Sequence, residues 1–166
     1  KLSLKLDYLS SQEEELVDYL ACFRAPASVS LLARLLSLPM EEVVEITEEF
    51  GQKQLLMEEE QGEELVVRFS QELLRIYAYE RLSLAKKRML HHQIAQGMED
   101  QLGDSLYHAQ LLNEIAYHYK MSKQLIKSLE YELHYLEATL QFHHELFPIY
   151  SREFGFIEKT DDSNQS

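Results

Sequence analysis

The stretch Gln54-Leu-Leu-Met57, followed by Glu-Glu-Glu-Gln-Gly-Glu and then by Glu64-Leu-Val-Val-Arg-Phe69, decides the fold of this chain. Two short runs rich in Leu and Val flank an acidic segment that contains one glycine, Gly62. Short apolar runs separated by a glycine-containing segment are typical of a β-hairpin, because glycine adopts the backbone conformation that the turn needs. The stretch predicts a hairpin between Gln54 and Phe69 as the only β-structure of the chain.

Upstream of the hairpin, apolar residues follow helical spacing in three successive segments. The first begins near Ser11, where Ser11-Gln-Glu-Glu14 has the spacing of a capping box. A second begins near Ser28, and Pro39 suits the first turn of a third that ends at Gly51. The predicted core face of the third helix consists of Met40, Val43, Val44, Ile46 and Phe50. Three helices followed by a hairpin is the order of elements in a winged helix.

Downstream of the hairpin, the remaining segments are predicted to be helical. A segment that starts at Gln71 has an apolar stripe of Leu73, Leu74, Tyr77 and Ala78. A long helix from Ser83 to Gln101 follows, with Ser83 as its cap, and its apolar residues are Leu84, Met89, Leu90, Ile94 and Met98. Because these positions are too widely spread for one narrow stripe, we expect a spine helix that packs on two sides.

The pair Gly103-Asp104 interrupts the helical pattern and is the predicted domain boundary. Beyond it, residues 106–119 and 123–142 predict two antiparallel helices, and a shorter segment follows Pro148. The predicted fold class is mainly α. Its three parts are a winged-helix-like domain with a C-terminal spine helix (1–102), a helical hairpin (103–153) and a polar tail that we expect to be disordered (154–166).

Charge is unevenly distributed along the chain, whose formal net charge is −13. The basic residues concentrate between residues 71 and 92, and the flanking segments are acidic. A single cysteine, Cys22, excludes an internal disulfide and favours a reducing compartment. No stretch approaches the roughly 18 apolar residues of a membrane span, and nothing resembles a signal peptide. We therefore expect a cytoplasmic protein without membrane contact. We also expect a segment of a larger regulatory protein, because the sequence starts at Lys1 without a methionine, although removal of a tag would give the same start.

Residues 69–99 have the sequence FSQELLRIYAYERLSLAKKRMLHHQIAQGME. This run resembles a segment of large bacterial signal-transduction NTPases of the STAND class. In those regulators, several of which activate transcription, the segment lies just after the nucleotide-binding domain. The matching positions are Phe69, Ser70, Leu73, Leu82, Ser83, Arg88, Leu90, His91, Ile94 and Ala95. Gln71 stands where the family usually has histidine, so a role of that histidine does not carry over.

The flanking segments extend the resemblance. The winged-helix subdomain of the same proteins is similar to the upstream run LLARLLSLPMEEVVEITEEFGQKQLLMEE. The start of their tetratricopeptide-like sensor arm is similar to the downstream run AYHYKMSKQLIKSLEYELHYLEATLQFHHELFPIY. The resemblance implies a non-catalytic regulatory module that relays binding of a protein or small-molecule effector on the arm to the neighbouring nucleotide-binding domain of the parent chain. A phosphate-binding loop ending in Gly-Lys-Ser/Thr is absent from the sequence. Neither a cofactor nor a catalytic residue is predicted.

The basic stretch supplies the candidate contact with that nucleotide-binding domain. The candidate residues are Arg75, Arg81, Lys86, Lys87, Arg88 and His91. Two other interpretations remain open, a solvated helix face and a site for nucleic acid or a phosphate ligand. Against the last, three adjacent cations spread around a helix rather than lining one face.

The aromatic residues of the last helices form a second candidate site. They are Tyr107, Tyr117, Tyr119, Tyr131, Tyr135, Phe142, Phe147 and Tyr150. One interpretation is a core between helical layers. The other is a concave surface for an effector, for which the candidate residues are Tyr117, Tyr119, Tyr131 and Tyr135.

Direct DNA binding is the alternative function of a winged helix. The helix that would enter the groove has no Lys or Arg between residues 41 and 49, and it carries Glu41, Glu42, Glu45, Glu48 and Glu49. The predicted wing carries Glu58, Glu59, Glu60, Glu63 and Glu64. Both surfaces would meet the phosphate backbone with like charge, so we expect this chain not to bind nucleic acid.

The seven histidines and Cys22 predict no metal site and no nucleophile. Adjacent side chains on a helix, such as His91 and His92, point about 100° apart and cannot bind one ion together. The sequence contains no His-x-x-x-His or Glu-x-x-His pair. Cys22 lies near Leu20 and Phe23, so we expect it to be a buried apolar residue. A nucleophilic pair of Cys22 with a histidine stays open at this point.

Overall fold

The computed structural model describes residues 8–102 and 109–146, with side chains described up to residue 140 in the last helix. Within these ranges the chain is mainly helical with a small antiparallel sheet, which confirms the predicted class. The elements are α1 (Ser11–Ala21), β1 (Ala27–Ser28), α2 (Val29–Leu36), α3 (Met40–Gln52), β2 (Leu56–Gln61), β3 (Glu64–Phe69), α4 (Glu72–Glu80), α5 (Leu84–Leu102), α6 (Ala109–Met121) and α7 (Leu125–Leu146). The predicted boundary at Gly103-Asp104, the segment after Pro148 and the tail 154–166 lie outside the described residues.

A capping box starts α1, one residue earlier than predicted. The N–H of Glu13 donates to Ser10 Oγ (3.3 Å), and the N–H of Ser10 donates to Glu13 Oε2 (2.6 Å). The sequence offers two pairs at this spacing, Ser10 with Glu13 and Ser11 with Glu14. Ser10 is the cap because its backbone is extended, as an N-cap requires, whereas Ser11 is already helical.

Ser28 belongs to β1 and is also the N-cap of α2. Its backbone is extended (φ −63°, ψ 131°), and its Oγ accepts a hydrogen bond from the N–H of Leu31 (3.3 Å). Because the capping residue is extended, it can also pair with a strand. Ala27 and Ser28 pair with Val67 and Val66 of β3. The prediction that the hairpin would be the only β-structure was therefore wrong.

The hairpin itself is confirmed. β2 and β3 pair along their full lengths, and Gln61 faces Glu64 across a two-residue turn, Gly62-Glu63. Gly62 has φ +66°, a conformation that favours glycine. β3 lies in the centre of the three-stranded sheet, in the order β1-β3-β2. The sheet thus joins the hairpin to the start of α2.

α3 differs from the prediction in its core face and in its C-terminal end. Val43, Thr47 and Phe50 are buried, whereas Met40 is 44% exposed. Met40 is the first residue of the helix. The helix also continues through Gly51 to Gln52, so Gly51 does not end it.

α4 and α5 each bury a narrower face than predicted. In α4 the buried residues are Leu74 and Ala78, four positions apart, and Leu73 is exposed because it points about 100° away from that face. In α5 the buried residues are Leu90, His91, Ile94, Ala95, Met98 and Leu102. Leu84 and Met89 were predicted to be core residues and are exposed. Ser83 caps α5 as predicted, since its Oγ accepts from the N–H of Lys86 (3.2 Å).

α5 contacts α2 on one side and α6 on the other, as expected of a spine. The approach to α2 is close at Gly97. A Cβ at this position would lie 3.0 Å from Leu31 Cδ1 and 3.2 Å from Leu35 Cδ2. Arg34 of α2 also donates a hydrogen bond to the backbone oxygen of Gly97 (2.5 Å). The absence of a side chain at Gly97 is therefore what lets the two helices pack at this distance.

α6 and α7 form the predicted antiparallel pair. A three-residue connection reverses the chain, with Lys123 at φ +67° and the N–H of Gln124 donating to the backbone oxygen of Tyr119 (2.9 Å). Ser128 Oγ donates to the backbone oxygen of Ala116 (2.9 Å), which fixes the register of the two helices. Among the helices of the described ranges, none combines the length and the apolar character that a membrane crossing requires.

Candidate functional site

Arg75, the first of the six candidate contact residues, is bound within the chain. Its Nη1 donates to the backbone oxygen of Ala21 (3.0 Å), near the C-terminal end of α1. Its Nε donates to Glu72 Oε1 (2.9 Å), and the hydrogen bonds that Arg75 donates to Glu72 raise the pKa of the guanidinium. A cation near a helix C-terminus interacts favourably with the helix dipole. Arg75 thus joins α4 to α1 and is not available to a partner.

Lys86 is also used inside the chain. Its ammonium group forms an ion pair with the carboxylate of Asp18, a side chain on α1 that is only 10% exposed. The hydrogen bond to Asp18 raises the pKa of Lys86. A buried carboxylate needs such a partner, because burial of an unpaired charge is costly. The ion pair therefore joins α5 to α1.

The other three cations differ in exposure. Lys87 is largely covered, with its Nζ 3.5 Å from Glu80 Oε2 and 4.3 Å from the centroid of the Tyr79 ring, a cation–π geometry. Arg81 and Arg88 are exposed, and neither forms an ion pair with any residue that the structure describes. Among the five arginines and lysines of the candidate contact, Arg81 and Arg88 are therefore the two that are exposed and could bind a partner.

His91 is fully buried, so its assignment as an interdomain contact was wrong. Its Nδ1 lies 2.8 Å from Nδ1 of His118 on α6, and its Nε2 lies 3.1 Å from the hydroxyl of Tyr79. Burial lowers the pKa of His91 to about 4, and the positive charge of Lys87 acts in the same direction. Both rings fill the space between α5 and α6.

His118 is the residue that sequence reasoning missed. Burial lowers its pKa well below the usual value, and the neighbouring His91 and Arg24 add to this effect. Both histidines are neutral near pH 7, and one Nδ1–H donates to the other Nδ1. The Nε2 of His118 has no hydrogen-bond partner within the described residues. Its position between Ile115 and Tyr119, both on the buried face of α6, is the one signal in the sequence that could have indicated burial.

Two of the candidate arm tyrosines, Tyr119 and Tyr131, form a partly buried cluster with Glu99. Tyr119 is fully buried, so its assignment to an effector surface was wrong. Its ring stacks on that of Tyr131, with centroids 5.9 Å apart. Both hydroxyls donate to the Glu99 carboxylate on α5, and the Tyr131 hydroxyl lies 2.8 Å from Glu99 Oε1. Lys127 Nζ lies 3.4 Å from the same oxygen. The tyrosines therefore join the hairpin to α5.

The electrostatics of this cluster follow from its hydrogen bonds. Burial by itself would raise the pKa of Glu99. The hydrogen bonds from Tyr119 and Tyr131 and the charge of Lys127 outweigh the effect of burial, so the pKa of Glu99 is lowered. Burial and the hydrogen bonds to Glu99 raise the pKa of both tyrosines. Glu99 thus stays ionised and both phenols stay protonated at neutral pH.

Tyr117 and Tyr135 are half-buried, and the structure leaves part of each ring accessible. The guanidinium of Arg24 lies 3.7 Å from the centroid of the Tyr117 ring and forms an ion pair with Glu114 (2.8 Å). Tyr135 packs against the edge of the core. Tyr107, Phe142, Phe147 and Tyr150 lie outside the residues whose side chains are described.

The glutamates of α3 and of the β2–β3 hairpin lie mostly at the surface. All five glutamates of α3 between residues 41 and 49 are exposed. On the hairpin, Glu59 pairs with Arg68 (2.7 Å), and Glu58 accepts a hydrogen bond from Thr47 (2.7 Å). α3 and the hairpin, which would be the elements that approach DNA in a winged helix, therefore both present negative charge.

The buried thiol of Cys22 is not activated. Burial and the nearby Asp18 carboxylate raise its pKa to about 12, and its Sγ lies 3.5 Å from the backbone oxygen of Asp18. A thiol with this pKa is not a nucleophile at neutral pH. No group of three metal-ligating side chains comes together within residues 8–102 and 109–140. His108, His143 and His144 lie outside the described side chains.

Comparison of the sequence with models of known protein families finds no match, and no curated protein matches it.

Proposed function

We propose that the chain is a non-catalytic regulatory module built from a winged-helix domain and the first helices of a tetratricopeptide-like arm. The order α1, α2, α3 and then the β2–β3 hairpin supports the first part, and β1 adds a strand without changing that order. The antiparallel pair α6–α7 supports the second part, because pairs of antiparallel helices are the repeating unit of such arms.

In this proposal the module relays binding on the arm to its neighbour, and the observation that carries it is the position of α5. On one side, the hydroxyl of Tyr19 in α1 donates to Gln93 Oε1 (2.9 Å). On the other side, His91 pairs with His118 of α6. Because close-packed interiors transmit displacement, a shift of α6 and α7 would be passed through α5 to α1 and α2.

The proposed partner is the nucleotide-binding domain of a STAND-class parent chain. This part of the proposal rests on the resemblance of residues 69–99 and on the two exposed arginines, Arg81 and Arg88. Cations that the fold does not neutralise are suited to an acidic surface of a partner domain.

The experiment measures ATP turnover by the full-length protein that contains this chain. We expect Arg88→Glu to change basal turnover by about tenfold, because the reversed charge would repel the docked domain. Lys120→Glu, which makes the same charge change on α6, serves as the matched control and is expected to leave turnover unchanged. Equal melting temperatures of both variants would exclude a folding defect. Unchanged turnover in Arg88→Glu, or a parent without a phosphate-binding loop, would disprove the relay.

A further inference from the structure

An apolar stripe runs along the side of α7 that faces away from α6. It consists of Leu125, Ile126, Leu129, Leu133, Leu136 and Leu140, which are between 52% and 79% exposed. From Ile126 onward, the residues alternate at spacings of three and four, the heptad spacing of a helix that packs along one seam against another helix. At about 1.5 Å per residue, the stripe from Ile126 to Leu140 is about 20 Å long.

The exposure of the stripe is a consequence of the fold, because the opposite face of α7 is fixed. Ser128 is bonded to Ala116, Tyr131 is stacked on Tyr119, and Tyr135 and Ala138 pack against the core. At about 100° per residue, these positions lie on the far side of the helix from the leucines. α7 therefore cannot bury the leucines by turning about its axis without breaking these contacts.

Three exposed glutamates border the stripe. Glu130 and Glu137 lie on one flank and Glu132 on the other, at the positions where paired helices carry their interhelical charges. Lys127, on the face toward α5, is the one cation of α7 up to residue 140, and it is already bound to Glu99. If a second copy of the chain occupied the stripe, glutamates would face glutamates along the seam.

We propose that the α7 stripe binds an amphipathic helix of a partner protein, with aliphatic residues along its seam and Lys or Arg on both flanks. The leucines exclude water from the seam, and the glutamates pair with the partner's cations and select against acidic helices. This inference depends on α7 alone, so it can hold or fail independently of the proposed relay to a nucleotide-binding domain.

The test uses two synthetic helical peptides of about three heptads, with Leu at both seam positions. One has Lys on both flanks and the other has Glu. We expect the full chain to bind the Lys peptide about tenfold more tightly than the Glu peptide at low salt, with the difference reduced by added salt. Fluorescence anisotropy of labelled peptides measures both affinities.

Two variants complete the test. Leu133→Ser changes an exposed residue in the middle of the stripe and is expected to weaken binding of the Lys peptide about tenfold. Leu84→Ser, on α5, replaces an exposed leucine outside the stripe, and this variant is expected to bind the Lys peptide as the unmodified chain does. Equal affinity for both peptides, no binding of either, equal loss in both variants, or a dimer that Leu133→Ser dissociates in sedimentation would each overturn the proposal.

Discussion

Acidification from pH 7 to pH 5 is expected to destabilise the chain through the buried pair His91–His118. An unfolded histidine has a pKa near 6.5, whereas burial lowers the pKa of His91 to about 4 and that of His118 well below the usual value. The unfolded state therefore binds more protons than the folded state in this range. The stabilisation is complete above pH 6.5 and is lost as the pH falls toward 4.

The magnitude follows from the shift of His91. One pKa unit corresponds to about 1.4 kcal/mol, so His91 alone lowers the free energy of unfolding by about 2 kcal/mol between pH 7 and pH 5. His118 adds a loss of the same sign. The carboxyl groups whose pKa is lowered in the folded chain, on Glu13, Glu72 and Glu99, contribute stability that is lost only below their ordinary pKa of 4.5. The interval from pH 5 to pH 7 thus isolates the histidines.

Urea unfolding at pH 7, 6 and 5 measures the effect. In His91→Gln, which cannot be protonated, we expect the pH dependence to fall by at least about 2 kcal/mol relative to the unmodified chain. Met89→Gln changes an exposed residue of the same helix that carries no titratable group, and it should keep the full pH dependence. The reasoning is wrong if the unmodified chain is equally stable at pH 5 and pH 7, or if His91→Gln retains the whole dependence.

The remaining predictions concern packing, charge and DNA. Leu90→Ala should lower the free energy of unfolding by about 2–5 kcal/mol because Leu90 is buried, whereas Met89→Ala, beside it and exposed, should stay within about 0.5 kcal/mol in the same urea melts. Lys86→Met should lower the free energy of unfolding by about 1–3 kcal/mol, because it leaves the Asp18 carboxylate unpaired. Adding Asp18→Asn should recover part of that loss, and no recovery would argue against the ion pair. Gly97→Ala should destabilise the chain by about 0.5–2 kcal/mol in thermal melts despite a better helix propensity, because its Cβ would press on Leu31 and Leu35 of α2. A higher melting temperature would contradict this. In an electrophoretic shift assay at low salt we expect no complex with DNA, and a salt-dependent complex would restore the DNA-binding alternative.

Local patterns in the sequence predicted the helices and the hairpin because those elements depend on nearby residues. Capping residues, apolar periodicity and Gly62 all act within a few positions, and they placed most element boundaries within two residues. β1 was missed because it has only two residues and no apolar alternation of its own. It exists because the cap at Ser28 extends the backbone next to β3, a contact between positions almost 40 residues apart.

The charged residues show what sequence proximity cannot decide. The basic stretch was predicted as one contact surface, but Arg75 and Lys86 bind acceptors on α1, more than 50 residues away. Lys87 packs over Tyr79, and His91 pairs with His118. Each of these side chains is neutralised or buried by a partner whose identity depends on the tertiary fold. Arg81 and Arg88 can therefore be distinguished from the other basic residues only after those contacts are known.

α7 shows the same limit for a helix with two apolar faces. One face carries leucines at heptad spacing and the other carries Tyr131 and Tyr135, so periodicity alone separates the faces without indicating which one is inward. The partly buried carboxylate of Glu99 favours this orientation, because it accepts a hydrogen bond from the Tyr131 hydroxyl and leucine has no donor to offer. The tyrosine face therefore turns toward α5, and the leucine face is left as a surface that can bind a second helix.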